Sequence, residues 1–276
     1  MRVFLTGASG YIGTHVAREL LSRGHEVIGL ARKSSDRTRR VPAVRWLFAD
    51  LSDLSRYMNG LNRSDAVVHC AMDYSSSGEN AELDRQFVDR MLGFDGHFIY
   101  TGNLFSHRFS AFLDEAPQTE SNHWRFQTEI AALGRRGISS VIRLGFVYGG
   151  NGGYFWNILS PGTLAGLESA AIPHVLWPMV HVRDVATLYA HVLEADEGGV
   201  YHAFDGTRVY AEEVVQTTRL VYEQREATGS ESHNYIDGLL KASVVTSNRR
   251  SRSIGWRPAH RSFRECADNA YAENVV

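Results

Sequence analysis

The sequence predicts an α/β protein: a doubly wound parallel sheet with a small C-terminal lobe. Three observations predict it. An apolar run, Val3 to Leu5, meets glycines at 7, 10 and 13, and Ile12, Val16, Leu20 and Leu21 then recur at helical spacing. Short apolar runs alternate with helical patterns through the first half of the chain, as parallel βαβ units require. The 276 residues, 43% of them hydrophobic, are enough for one large core with an added lobe. The division expected is a core over 1–149 and a mixed segment over 150–276 that builds the lobe and returns to the core, the whole forming a single unit.

The opening stretch carries the strongest signal. A Cβ at Gly7 or Gly10 would collide with an approaching phosphate, and Gly13 lets the helix pack close to the strand. The helix N-terminus offers unpaired N–H groups and partial positive charge, so the turn suits a pyrophosphate, with Ser9, Tyr11 and Ile12 beside it. A strand, a glycine turn and a helix in this order form a Rossmann-type dinucleotide cradle.

The first helix ends near Arg23-Gly24, and Glu26 to Leu30 is the second strand. A cradle that prefers NAD carries an acid just after this strand to hold the ribose hydroxyl. None stands at 30–35, and Asp36 comes too late. Arg32 and Lys33 stand there instead and can pair with a 2′-phosphate. The expected cofactor is therefore NADP(H), preferred over NADH; a solvated basic loop is the competing explanation.

Ala43 to Ala49 is the third strand, followed by Asp50-Leu51 and a helix over 52–61 capped by Ser52. Asp65 to Ala71 is the fourth strand, with His69 read as a packed core histidine. At its end Cys70 and Ala71 are small enough for close approach of a cofactor, and Met72 and Asp73 open a polar loop where ligands sit in parallel sheets. Glu82 to Gly93 is a helix with Leu83, Phe87, Met91 and Leu92 on one face. His97 to Tyr100 is the fifth strand, ended by Thr101-Gly102-Asn103. A long connection, 104–121, leads to a helix over 123–136 capped by Ser121 or Asn122, then to a sixth strand over 139–147.

Gly149 to Gly153 takes the chain out of the core. Phe146, Tyr154 and Trp156 are candidates for an aromatic wall over the nicotinamide, with core packing as the alternative. Helices over 184–193, 210–222 and 262–271 and a strand over 200–204 complete the chain.

Charge and composition exclude other classes. A net charge of -2 gives no bulk attraction to nucleic acid or membrane, and Cys70 and Cys266 make no disulfide framework. No leader is expected before the first strand, so the expected location is the cytoplasm. The expected partner is a small molecule, with no metal; a homodimer is left open.

The octapeptide Thr6-Gly7-Ala8-Ser9-Gly10-Tyr11-Ile12-Gly13 resembles the opening of the extended short-chain dehydrogenase/reductase family, the sugar-nucleotide epimerases and dehydratases and their relatives. The resemblance recurs in Asp50-Leu51, in Val67-x-His69-x-Ala71, in Arg143 to Gly149, in His181 to Ala186, and in Ile254-Gly255-Trp256-Arg257-Pro258. It implies that Asp50 and Leu51 contact the adenine and that the end of the fourth strand lines the nicotinamide.

Active family members carry a Tyr-x-x-x-Lys pair on the helix after the fifth strand, with a Ser or Thr at that strand's end to hold the substrate oxygen. Here no tyrosine lies between Tyr100 and Tyr148, and the only lysines are Lys33 and Lys241. Trp124 falls at the Tyr position and Thr128 at the Lys position, while Asn103, or Thr101 with a slip of two, takes the Ser/Thr position. Trp does not titrate, so the chain resembles the atypical branch of the family.

Three activities fit. One is an NADP(H)-dependent oxidoreductase or epimerase/dehydratase-type enzyme acting on a small apolar or aromatic carbonyl or hydroxy metabolite. It would use His123 or water as proton relay, Thr101 and Asn103 on the oxygen, and Asp73, Trp124, Phe146, Tyr154 and Trp156 around the substrate. The others are a non-redox lyase, isomerase or cyclase, and a non-catalytic NADP(H) sensor.

Overall fold

The side chains of the main sheet alternate between two separate cores, one on each face. The computed structural model describes residues 1–72, 79–106, 123–150, 153, 155–167, 172, 174–227, 240 and 243–275. Strands β1 (Arg2–Thr6), β2 (Glu26–Ala31), β3 (Arg45–Phe48), β4 (Ala66–His69), β5 (His97–Asn103), β6 (Ser139–Leu144) and β10 (Gly199–Ala203) form one parallel sheet in the order β10-β6-β5-β4-β1-β2-β3.

Val3, Leu5, Val68, Ile99 and Ile142 point to one face, covered by α1 (Tyr11–Ser22) and α7 (Val182–Glu194). Phe4, Ile28, Val67, Phe98 and Val141 point to the other, under α2 (Met58–Asn62), α3 (Glu79–Met91) and α4 (Trp124–Leu133). Strand order reverses between β1 and β4, so the chain leaves their carboxyl ends in opposite directions and opens a crevice there.

The expected sixth strand is two strands. Gly145 breaks it: a Cβ there would lie 2.2 Å from the Pro178 carbonyl oxygen. Beyond the break, β7 (Phe146–Tyr148) leaves the main sheet and pairs in parallel with β9 (Met179–His181). The lobe gathers α5 (Phe155–Ile158), α6 (Pro161–Ala165), α8 (Ala211–Gln224) and α10 (Phe263–Val275) around a third core, beside the two-strand ladder of β8 (Leu176–Trp177) and β11 (Val209–Tyr210). The short α9 (Arg249–Ser253) packs on β10.

Other expectations need correction at element ends. Ser52 caps no helix; its N–H and hydroxyl both donate to Asp50, and the expected helix shrinks to a 3-10 turn and α2. Leu92 is 47% exposed because α3 ends at Met91. His123 caps α4 through Nδ1, which accepts from the Arg125 N–H; Ser121 and Asn122, expected in that role, lie outside the described residues.

Candidate functional site

The glycine turn divides its work among three residues. Gly7 has φ +65°, and a Cβ there would lie 2.7 Å from the Ala71 amide nitrogen, so Gly7 lets the ends of β1 and β4 touch. A Cβ at Gly13 would lie 2.1 Å from the Gly7 carbonyl oxygen, so Gly13 lets α1 sit on the turn. At Gly10 the nearest atom is the Gly7 oxygen at 3.1 Å, which leaves that side open to a ligand. No side chain caps α1 and no acid lies in its first turn, so the leading N–H groups, Tyr11 to Gly13, have no intrahelical acceptor. Ser9 is half-buried beside them, and Ile12 packs on the core. This donor set fits a pyrophosphate.

Beyond β2, Arg32 and Lys33 are exposed on a loop. Asp36 is turned away: its carboxylate accepts from the Thr38 N–H at 2.9 Å and hydroxyl at 2.7 Å. Arg40 braces the loop, with its guanidinium 4.5 Å over the Phe48 ring and donating to the Lys33 and Ser35 carbonyls. Asp50 holds the turn after β3 by accepting from Ser52, and Leu51 packs against the core below.

At the end of β4, His69 is a core residue. It bonds Thr6 Oγ1 at 2.8 Å and Asp84 at 3.1 Å, and Tyr100 donates to the same Asp84 carboxylate. Thr101 Oγ1 donates to the His69 carbonyl at 2.6 Å and pairs with the Tyr189 hydroxyl at 2.5 Å. Its one proton is committed to the carbonyl, so Tyr189 is the donor and Thr101 offers the crevice only acceptor capacity. Burial pushes the Tyr189 phenol well above its ordinary range and the Cys70 thiol up to about 11, so neither ionises at neutral pH.

Asn103 is held by the backbone that follows it. Its Oδ1 accepts from the Phe105 N–H at 2.7 Å, which orients the carboxamide, and its NH2 group bonds no described residue. A buried ion pair supports it from below. Glu129 on α4 and Arg143 on β6 are each 1% exposed and meet at 2.8 Å, and the Asn103 N–H donates to Glu129. Gly102 makes room, since a Cβ there would lie 2.3 Å from Glu129 Oε1.

The start of α4 closes this side. Arg125 Nη2 reaches Met72 Sδ at 3.3 Å, its guanidinium sits 5.0 Å from the Trp124 ring centre, and Trp124 stacks on His123. Of the expected wall, Phe146 and Trp156 instead lie inside the lobe core, where Trp156 packs edge-on against Phe155, Tyr222 and Tyr271. Asp73 and Tyr154 lie outside the described residues. Among the described residues no group of three His, Cys, Asp or Glu side chains can hold a metal, and no helix is long and apolar enough to cross a membrane.

Sequence reasoning missed Tyr189, Arg125 and the Glu129–Arg143 pair. The pair did leave a signal: an acid and a base of opposite sign, each at an apolar-facing position of its own element.

Known proteins resemble the chain in sequence and in fold. Residues 3–94 match the model of the NAD dependent epimerase/dehydratase family. The uncharacterized protein YLL056C of Saccharomyces cerevisiae is 32% identical over 286 residues, covering 94% of this chain and 95% of its own. Two solved structures share the fold over nearly the whole length. UDP-glucose 4-epimerase of Thermus thermophilus, in complex with NAD, has TM-score 0.73 at 21% identity, with 99% and 98% of the two chains covered. Human epimerase family protein SDR39U1, with NADPH, has TM-score 0.72 at 19% identity, with 99% of each chain covered. The chain belongs to the NAD-dependent epimerase/dehydratase family, as an atypical short-chain dehydrogenase/reductase without the Tyr-x-x-x-Lys pair.

Proposed function

We propose that the chain binds NADP(H) in the crevice and interconverts a small carbonyl compound and its alcohol beside β4, β5 and α4. The observation that carries this is the uncapped, acid-free start of α1, with Arg32 and Lys33 exposed at the end of the neighbouring strand. The relatives' solved structures hold NAD in one case and NADPH in another, so this chain's own basic loop decides the preference for the 2′-phosphate.

A bound nicotinamide would supply or take up the hydride. The protein holds the reacting oxygen: the Asn103 NH2 donates to it, and Thr101 can only accept, which suits the hydroxyl form of the substrate. The proton comes from His123 or from water. His123 Nδ1 accepts from the Arg125 N–H, so the neutral ring carries its proton on Nε2. Trp124 and Arg125 shape the substrate space.

The test is consumption of NADPH with a panel of aromatic and aliphatic aldehydes and ketones. Turnover that falls about 100-fold or more in Asn103→Ala supports the assignment. Tight NADPH binding with no turnover across the panel favours the sensor function instead.

A further inference from the structure

The last helix reaches back to the cradle. Glu273 on α10 accepts from the Gly150 N–H at 2.8 Å and from His181 Nε2 at 3.3 Å through Oε2, and pairs with Arg183 at 2.8 Å through Oε1. His181 caps α7: its Nδ1 accepts from the Arg183 N–H, so the proton of the neutral ring sits on Nε2, facing the carboxylate. Burial and the stacked His260 ring hold His181 down at about 4, so it is neutral in this contact at neutral pH.

Two glycines let the chain through this junction. Gly149 has φ +82° and a Cβ there would lie 2.0 Å from His181 Nε2; Gly150 has φ +64° and a Cβ would lie 2.7 Å from His15 Nε2. The Gly149 carbonyl accepts from the Tyr11 hydroxyl at 2.5 Å. Tyr11 is the first residue of α1, directly after Gly10, and its N–H is one of the donors aimed at the pyrophosphate. Its ring is also pinned by Gly153, where a Cβ would lie 2.7 Å from Cζ.

We propose that Glu273 is a positioning residue of the cofactor cradle: it fixes Gly149–Gly150, and through the Gly149 carbonyl it fixes Tyr11 and the first turn of α1. This rests on the assignment of the glycine turn as the dinucleotide site. The contact also ties lobe to cradle, since α10 belongs to the lobe core and α1 to the main sheet.

A double-mutant cycle tests it, with NADPH affinity measured by fluorescence titration and stability by thermal melting. Glu273→Ala and Tyr11→Phe should each weaken NADPH about 10-fold, as loss of a bond to a charged or strongly held group does. The double variant should be no weaker than Glu273→Ala alone, because both changes cut one chain of contacts. A purely structural Glu273 would lower the melting temperature and leave the cycle additive, which overturns the proposal, as does parental affinity in Glu273→Ala. Should Glu273→Ala fail to fold, Glu273→Leu, which keeps most of the volume but offers no acceptor to the Gly150 N–H and no charge to Arg183, takes its place under the same criteria. Parent protein that binds neither NADPH nor NADH removes the cradle assignment and the proposal with it; a parent that binds, with variants indifferent, removes the proposal alone.

Discussion

Glu129→Ala tests whether the floor of the site is held by charge. Glu129 and Arg143 are each 1% exposed and 2.8 Å apart, on different elements, with Asn103 above them. Removing the carboxylate leaves a buried guanidinium with its main counter-charge gone, which costs about 3–5 kcal/mol. Total stabilities run to about 5–15 kcal/mol, so the variant loses a large share of the fold's margin. At about 2–4 °C per kcal/mol in chains approaching this size, the melting temperature falls by roughly 6–20 °C. The double variant Glu129→Met with Arg143→Met separates charge from packing, because replacing a whole buried pair with apolar groups is about neutral or stabilising by about 1–4 kcal/mol. Urea and thermal melts of both variants decide it. A drop under about 2 °C in Glu129→Ala, or a double variant as unstable as the single, would show that the pair does not hold β5 and β6 against α4.

Further outcomes follow from the same geometry. Gly10→Val should abolish cofactor binding with the melting temperature nearly unchanged, whereas Gly13→Ala should lower the melting temperature, because its Cβ would lie 2.1 Å from the Gly7 oxygen; calorimetry and melting separate the two. Burial holds His15, His97 and His181 down at about 4 against an ordinary value of 6.5. The folded state therefore binds fewer protons, its stability is fully present above pH 6.5, and it falls as pH drops toward 4. Urea midpoints measured down that range should decline, and a flat profile would mean these rings are solvated. If His123 relays the proton, His123→Ala should cost about 10²–10⁴ in turnover and flatten the pH profile; full activity leaves water as the donor.

The sheet and the glycine turn were legible because their signals are local. The run from Val3, the three glycines and the apolar helix face lie within one short stretch and agree with one another. His69 was readable for the same reason: an imidazole inside an apolar strand is satisfied by neighbours, here Thr6 and Asp84. The break at Gly145 was not readable, because its cause is the carbonyl of Pro178, far along the chain. The aromatic residues after Gly153 show one pattern whether they line a cleft or fill a core, and Trp156 took the core because α8 and α10 bring Tyr222 and Tyr271 onto it. Tyr189 sits on an apolar helical face with nothing local to mark its hydroxyl, whose partner Thr101 comes from a different strand.

In the proposed function the crevice takes NADP(H) and the loop after β2 reads the 2′-phosphate. Calorimetric titration of the parent and of Arg32→Ala with NADPH and NADH tests it most directly. The parent should bind NADPH at least about 10-fold more tightly than NADH, and Arg32→Ala should lose about 1.5–3 kcal/mol toward NADPH while its NADH affinity is unchanged. Equal affinities for the two cofactors in the parent, or no binding of either, would contradict it.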